Sequence, residues 1–166
     1  MDIISQVHHS ITHNSLISDN DRVVVGLSGG PDSVFLLYAL KEFAKQNNVT
    51  IIAAHLNHEW RPEAAAEEQL CIELCTTLNI TIATEKLSSF ESTICYNGSK
   101  EAFAREARRA FFNQVQHQYK AHHIALAHHY DDQQETFFIR LIRGTSVDGL
   151  IGMQPRNGDY IRPLLA

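Results

Sequence analysis

Six consecutive residues, Ser28-Gly29-Gly30-Pro31-Asp32-Ser33, put two hydroxyls, two glycines and a carboxylate next to one another. They follow Val23-Val24-Val25-Gly26-Leu27 and precede Val34-Phe35-Leu36-Leu37-Tyr38-Ala39-Leu40. The first apolar run reads as a buried parallel strand, and the second has helical character. A strand, a glycine-rich turn and a helix together aim several backbone N–H groups and a helix N-terminus at one point, which makes an anion site. The glycines let the anion's oxygens approach the backbone. Two known phosphate loops are excluded. No lysine lies between Asp21 and Lys41, as a Gly-Lys-Ser/Thr loop would require. Gly26, Gly29 and Gly30 do not supply G-x-G-x-x-G.

Three further groups could do chemistry. Asp131 and Asp132 stand at the start of a helix after Ala127-His128-His129-Tyr130. Paired carboxylates there suit Mg2+, which takes one or two carboxylates, waters and substrate phosphates, while Asp131 also reads as a helix cap. Arg105 and Arg109 are one helical turn apart with Arg108 beside them, a pattern shared by solvated faces and anion contacts. Arg140 and Arg143 fall near a helix C-terminus, as dipole-stabilising residues or phosphate contacts. Cys71 and Cys75, four apart on one helix, read as a packed face, and His8, His9 and His13 as solvated or packing side chains.

The elements that must position these groups alternate. An amphipathic helix is predicted over 2–17, from Ile3, Ile4, Val7 and Ile11. Strands follow at 22–27, 49–56, 80–84 and 123–127. Between them come a helix to about Asn47, a helix with Pro62 in its first turn, and a helix over about 100–119. The last clear helix runs from near Asp131 to Gly144, after which Gly149, Gly152, Pro155 and Gly158 break up any long element. The fold class is therefore α/β, a doubly wound, mostly parallel sheet with helices on both faces. Ligands in such sheets lie beyond the strands' C-terminal ends, which gathers Ser28–Ser33, His55–Arg61 and His128–Asp132 at one site.

With 166 residues the chain fits one domain, and no apolar run approaches the roughly 20 residues of a membrane span. The N-terminus lacks the pattern of a signal peptide, and three cysteines with no C-x-x-C pair suggest neither a disulfide framework nor a zinc ribbon. A cytoplasmic location is the expectation. Net charge is −5, unevenly spread: 5 basic and 12 acidic side chains precede residue 100, and 9 basic and 7 acidic ones follow. An electropositive face belongs to the second half.

S-G-G-P-D-S resembles the PP-loop of the N-type ATP pyrophosphatases, which hold the β,γ-pyrophosphate of ATP while the α-phosphorus is attacked. The wider pattern resembles the tRNA(Ile)-lysidine synthetases. HLNHEWR is similar to their HVNH-x-x-R segment, and EAFAREARR to their E-x-x-A-R-x-x-R helix. AHHYDDQQET, RLIRGTSVDGLIGM and IRPLL are similar to AHH-x-DDQ-x-ET, RG-x-x-x-GL-x-GM and RPLL. Glu59-Trp60 stands where that family has a small or aliphatic pair, and Arg109 where it often has Tyr.

The resemblance implies a Rossmann-like ligase. ATP would adenylate the wobble cytidine of a CAU-anticodon tRNA(Ile), and free L-lysine would then displace AMP. Ser28, Gly29, Gly30, Pro31, Asp32, Ser33, His55 and Asn57 would bind ATP. Asp32 and Asp132 would be catalytic or Mg2+-binding carboxylates, and Arg105 and Arg108 catalytic cations. His58, Arg61, Glu101, His128, Arg140 and Arg143 would line the substrate pocket. Residues 1–166 would form the catalytic domain, with 17–144 its best-defined core and the family's usual C-terminal tRNA-binding domains absent from this chain. The alternatives are a related PP-loop tRNA thiolase and a non-catalytic nucleotide sensor. Oligomeric state stays open, a homodimer among the choices.

Overall fold

A computed structural model describes residues 2–94, 98–144 and 152–165. In chain order the elements are α1 (Ile3–His13), β1 (Arg22–Gly26), α2 (Pro31–Asn47), β2 (Thr50–Asn57), α3 (Ala64–Leu78) and β3 (Thr81–Lys86). A 3-10 turn (Leu87–Phe90) leads to α4 (Lys100–Tyr119), β4 (His123–Ala125) and α5 (Tyr130–Arg143). A two-stranded hairpin, β5 (Arg156–Asn157) and β6 (Tyr160–Ile161), and a 3-10 turn (Pro163–Leu165) complete the described chain.

The sheet order is β3-β2-β1-β4-β6-β5, parallel throughout except for the β5–β6 pair. Alternation along β1 divides the core. Val23 and Val25 face a layer that contains Leu36, Leu37 and Leu40 of α2, Ile11 of α1 and Cys75 of α3. Val24 faces a second layer with Ile52, Ile124 and the α4 residues Ala107, Phe111 and Phe112. All three valines are fully buried, which is why this strand reads as a continuous apolar run. Cys71 and Cys75 pack as expected, in the first layer. Among the described residues no helix is long and apolar enough to cross a membrane.

Several boundaries differ from expectation. α1 ends at His13 instead of 17, because Asn14 caps it and Ser15 adopts a left-handed φ of 49°. Leu16 and Ile17 still reach the core, from the loop. Pro62 precedes α3 and does not sit in its first turn. β4 stops at Ala125, and β3 extends to Lys86. The β5–β6 hairpin was not anticipated, although Asn157-Gly158-Asp159 is a hairpin-turn signal and Gly158 has a φ of 60°. Cys95, Asn97 and Gly149 lie outside the described residues.

β1 lies between β2 and β4, so the connections wind outward in opposite directions from β1. That reversal opens a crevice beyond the C-terminal ends of β1 and β4.

Candidate nucleotide and substrate site

The turn between β1 and α2 enters the crevice. Gly26 ends β1 against α4, where a Cβ would come within 2.9 Å of the Phe112 ring. At Gly29 φ is 85°, a conformation that favours glycine, and a Cβ there would lie 3.5 Å from Cys71 Sγ. Ser33, 3% exposed, ties the turn together. Its Oγ donates to Gly30 O (2.8 Å) and accepts from Ser28 N (3.2 Å) and Ser28 Oγ (3.1 Å). Pro31 opens α2, and no side chain caps that helix. The first-turn N–H groups at Asp32 and Ser33 have no acceptor within the helix, so the positive end is left for an anion.

His55 and Asn57, expected to contact ATP, are buried at the end of β2. His55 Nδ1 donates to Leu27 O at 2.8 Å, and Cys71 Sγ lies 3.6 Å from the same nitrogen. His55 is thus a prop under the loop. Asn57 Nδ2 donates to Glu68 (2.8 Å), while its Oδ1 accepts from Glu59 N (2.9 Å). Both polar ends are committed to the connection from β2 to α3.

Around this connection, His58 Nε2 accepts from Arg108 at 2.8 Å. Burial holds the His58 imidazole below its ordinary pKa, with Arg108 adding to the effect. The ring is therefore neutral at pH 7 and serves as an acceptor. Arg61 is exposed and paired with Glu67 (3.2 Å). Arg105 and Glu101 lie exposed on α4, lining a surface hollow of about 380 Å³ with Ser99, Ala102 and Glu106.

Across the crevice, β4 delivers His128 and His129 to the start of α5. Asp132 Oδ2 accepts from His129 N at 2.8 Å, so Asp132 closes the helix cap and Asp131 does not. The His129 ring lies between two carboxylates: Nε2 is 3.6 Å from Asp32 Oδ2, and Nδ1 is 3.7 Å from Asp132 Oδ2. Asp32, His129 and Asp132 thus form a line joining the loop to α5. A cavity of about 340 Å³ beside it is lined by Asp32, His129 and Asp131 and, from α1 and the C-terminal turn, by Ile3, Val7 and Leu164. His128 is half-buried, and burial, followed by Arg162, lowers its pKa. Among the described residues no three His, Cys, Asp or Glu side chains form a metal-holding group. With the His129 ring between them, Asp32 and Asp132 do not converge on one point, so either could supply only the single carboxylate that Mg2+ takes beside phosphates and water.

His129 and Arg162, not among the expected site residues, lie beside Asp32, Asp132 and His128. Their signals in the sequence were the His128-His129 doublet and the arginine of Arg162-Pro163-Leu164-Leu165. Arg140 and Arg143 lie on α5, and their side chains are outside the described residues.

A family model described as a PP-loop domain matches residues 2–166. The tRNA(Ile)-lysidine synthase of Clostridium acetobutylicum is 42% identical over 165 residues, 98% of this chain and 36% of that protein. The tRNA(Ile)-lysidine synthase of Bacillus cereus is 35% identical over 167 residues, 98% of this chain and 35% of its own length. This chain therefore spans about a third of the length of these relatives. Among solved structures, a U34-tRNA thiolase from Methanococcus maripaludis superposes with a TM-score of 0.79 at 23% identity, covering 98% of this chain and 58% of that one. An NH3-dependent NAD synthetase from Campylobacter jejuni gives 0.61 at 19% identity, over 100% of this chain and 68% of that one. At these identities the two structures speak to the fold alone.

Proposed function

The chain belongs to the PP-loop domain family, and from that membership we propose that it is the catalytic domain of a tRNA(Ile)-lysidine synthase working in the cytoplasm. ATP binds with its β,γ-phosphates on the Ser28–Ser33 turn. The cytidine C2 oxygen attacks the α-phosphorus, an O–P bond forms, and the bond to pyrophosphate breaks. The ε- or α-amine of free lysine then attacks C2, and the C2–O bond breaks with release of AMP. The carbonyl oxygen becomes a leaving group only once adenylated, so the phosphate cradle and the base must meet at one place.

Each residue has a part in this. The uncapped start of α2 offers N–H groups to the departing pyrophosphate. Asp32 or Asp132 would hold Mg2+, which would supply positive charge that a loop without lysine lacks. His129, between the two carboxylates, is placed to take the proton that the lysine ammonium must lose for its amine to attack C2. Arg108, fixed by neutral His58, offers a steady positive charge toward the crevice. The observation that carries the reading is the alignment of Asp32, His129 and Asp132 across the switch point, in a chain 42% identical to a lysidine synthase.

A thiolase is supported less. Cys71 and Cys75 are buried mid-helix, and burial pushes both thiols up to about 11, far from a reactive thiolate. The test uses labelled ATP, labelled lysine and CAU-anticodon tRNA(Ile), with a methionine tRNA as control. Lysine incorporation confined to the isoleucine tRNA is the expected result. RNA-dependent AMP release without incorporated lysine would favour the thiolase, and ATP retained intact would favour a sensor.

A further inference from the structure

Trp60 is the chain's sole tryptophan and belongs to neither core layer. Half of its surface faces solvent, just beyond the C-terminal end of β2, the edge on which the crevice opens. A ring of this size left at the rim of a site is surplus to folding and available to a ligand.

Its presentation is built from both sides. Glu59, immediately before it, takes a left-handed φ of 56°. Glu59 N donates to Asn57 Oδ1 (2.9 Å), and Glu59 Oε2 accepts from Ser88 N (2.9 Å). These two bonds pin a backbone conformation that an unbraced glutamate would rarely adopt. The His58 ring lies 5.1 Å from the indole at 36°, and His58 is itself held by Arg108. The indole is therefore backed by a fixed imidazole. On its other flank in sequence stands Arg61, its side chain 70% exposed and, among the described residues, tied to Glu67 alone. An exposed pair of that kind is weak and exchanges readily for a phosphate. Arg105, Arg108 and Arg109 continue the positive charge along α4.

An exposed aromatic with its edge braced and cations on either side is how proteins take single-stranded nucleic acid, base on ring and phosphate on arginine. We infer that Trp60 stacks an unpaired RNA base next to the reacting nucleotide, with Arg61 leaving Glu67 for the adjoining phosphate. The inference rests on the proposed RNA-modifying activity. RNA is preferred to the adenine of ATP because the phosphates of ATP are accounted for at the Ser28–Ser33 turn, whereas Arg61 calls for a phosphate of its own.

The sole tryptophan is its own reporter. Emission is followed while the chain is titrated with Mg-ATP alone and with a CAU anticodon stem-loop alone. Saturable quenching by the stem-loop and none by Mg-ATP is expected. By anisotropy of an end-labelled stem-loop, which needs no tryptophan, Trp60→Phe should bind within about threefold of the parent and Trp60→Ala about five- to a hundredfold more weakly, with an unchanged KM for ATP at saturating stem-loop and an unchanged thermal unfolding midpoint. Quenching by Mg-ATP alone, or parental stem-loop affinity in Trp60→Ala, would overturn the inference. Failure of the lysidine reading would show separately, as absence of lysine incorporation by the parent chain whatever residue stands at 60.

Discussion

The turn before α2 and the start of α5 face each other across one crevice, yet they are held in different ways. The turn is cross-braced from within by Ser33 and from below by His55, and a Cβ at Gly29 would already touch Cys71. The helix that follows it buries Leu36, Leu37, Ala39 and Leu40 completely. α5 begins with a cap closed by its own Asp132 but then leaves Phe137, Phe138, Leu141 and Ile142 exposed, the last at 84%. The phosphate cradle is thus preorganised by tertiary packing, while the position of the opposing carboxylate is set locally. A preorganised cradle needs no rearrangement when charge develops. A locally capped carboxylate can follow its ligand without disturbing the core.

The sharpest break of this contrast is Asp132→Asn. The amide oxygen still accepts from His129 N, so the cap survives, whereas the charge facing Asp32 and His129 is lost. AMP release should fall about 100- to 1000-fold with an unchanged unfolding midpoint. Normal turnover would remove Asp132 from the chemistry and leave it only a cap.

Next in size is a paired stability measurement by urea unfolding. Leu37→Ala, in the fully buried face of α2, should cost about 2–5 kcal/mol. Ile142→Ser, on the exposed face of α5, should stay within about 0.5 kcal/mol. A large loss from the second variant would show that α5 is covered in solution.

Ser33→Ala tests the bracing itself. It removes the hub of three hydrogen bonds inside the turn, for about 1–2 kcal/mol of stability. ATP should bind about tenfold more weakly, the equivalent of about 1.4 kcal/mol. Unchanged ATP affinity would mean that Gly29, Gly30 and the helix end shape the cradle alone.

The same contrast explains what the sequence made legible. Val23-Val24-Val25 declares its strand because both of its faces are buried, and the turn after it declares its chemistry because only a few residue types can line a phosphate. β5 and β6 have two residues each, too short for any apolar rhythm, and only Asn157-Gly158 marked them. Residue types also brought the right stretches together at the switch point. They could not say which way side chains turn. The side chains of His55 and Asn57 brace Leu27 and Glu68, partners that come from other elements and that the sequence alone does not reveal. The place of His129 between Asp32 and Asp132 is invisible in the sequence because those two residues are 100 positions apart in the chain.

The smallest expected effect concerns the braces on the α4 side, and its sign follows from burial. His58 and His128 both have folded-state pKa values below the ordinary histidine value of 6.5, mainly because burial disfavours their charged forms. As pH falls through about 6.5, the unfolded chain therefore binds protons before the folded one does, and stability declines; above about pH 7 these two residues contribute no slope. Protonating His58 would also cost it the lone pair that accepts from Arg108. His58→Gln keeps an acceptor for Arg108 and removes the proton site. Its unfolding free energy should fall less steeply than the parent's between about pH 6.5 and 5.5, by well under about 1.4 kcal/mol, the value of one full proton per pH unit. Asp132 acts in the opposite sense on the α5 side, because its charge favours the protonated form of His128, so Asp132→Asn should slightly steepen the parental decline in that window. Equal slopes in His58→Gln and the parent would mean that the His58 ring titrates freely and that Arg108 is held by other means.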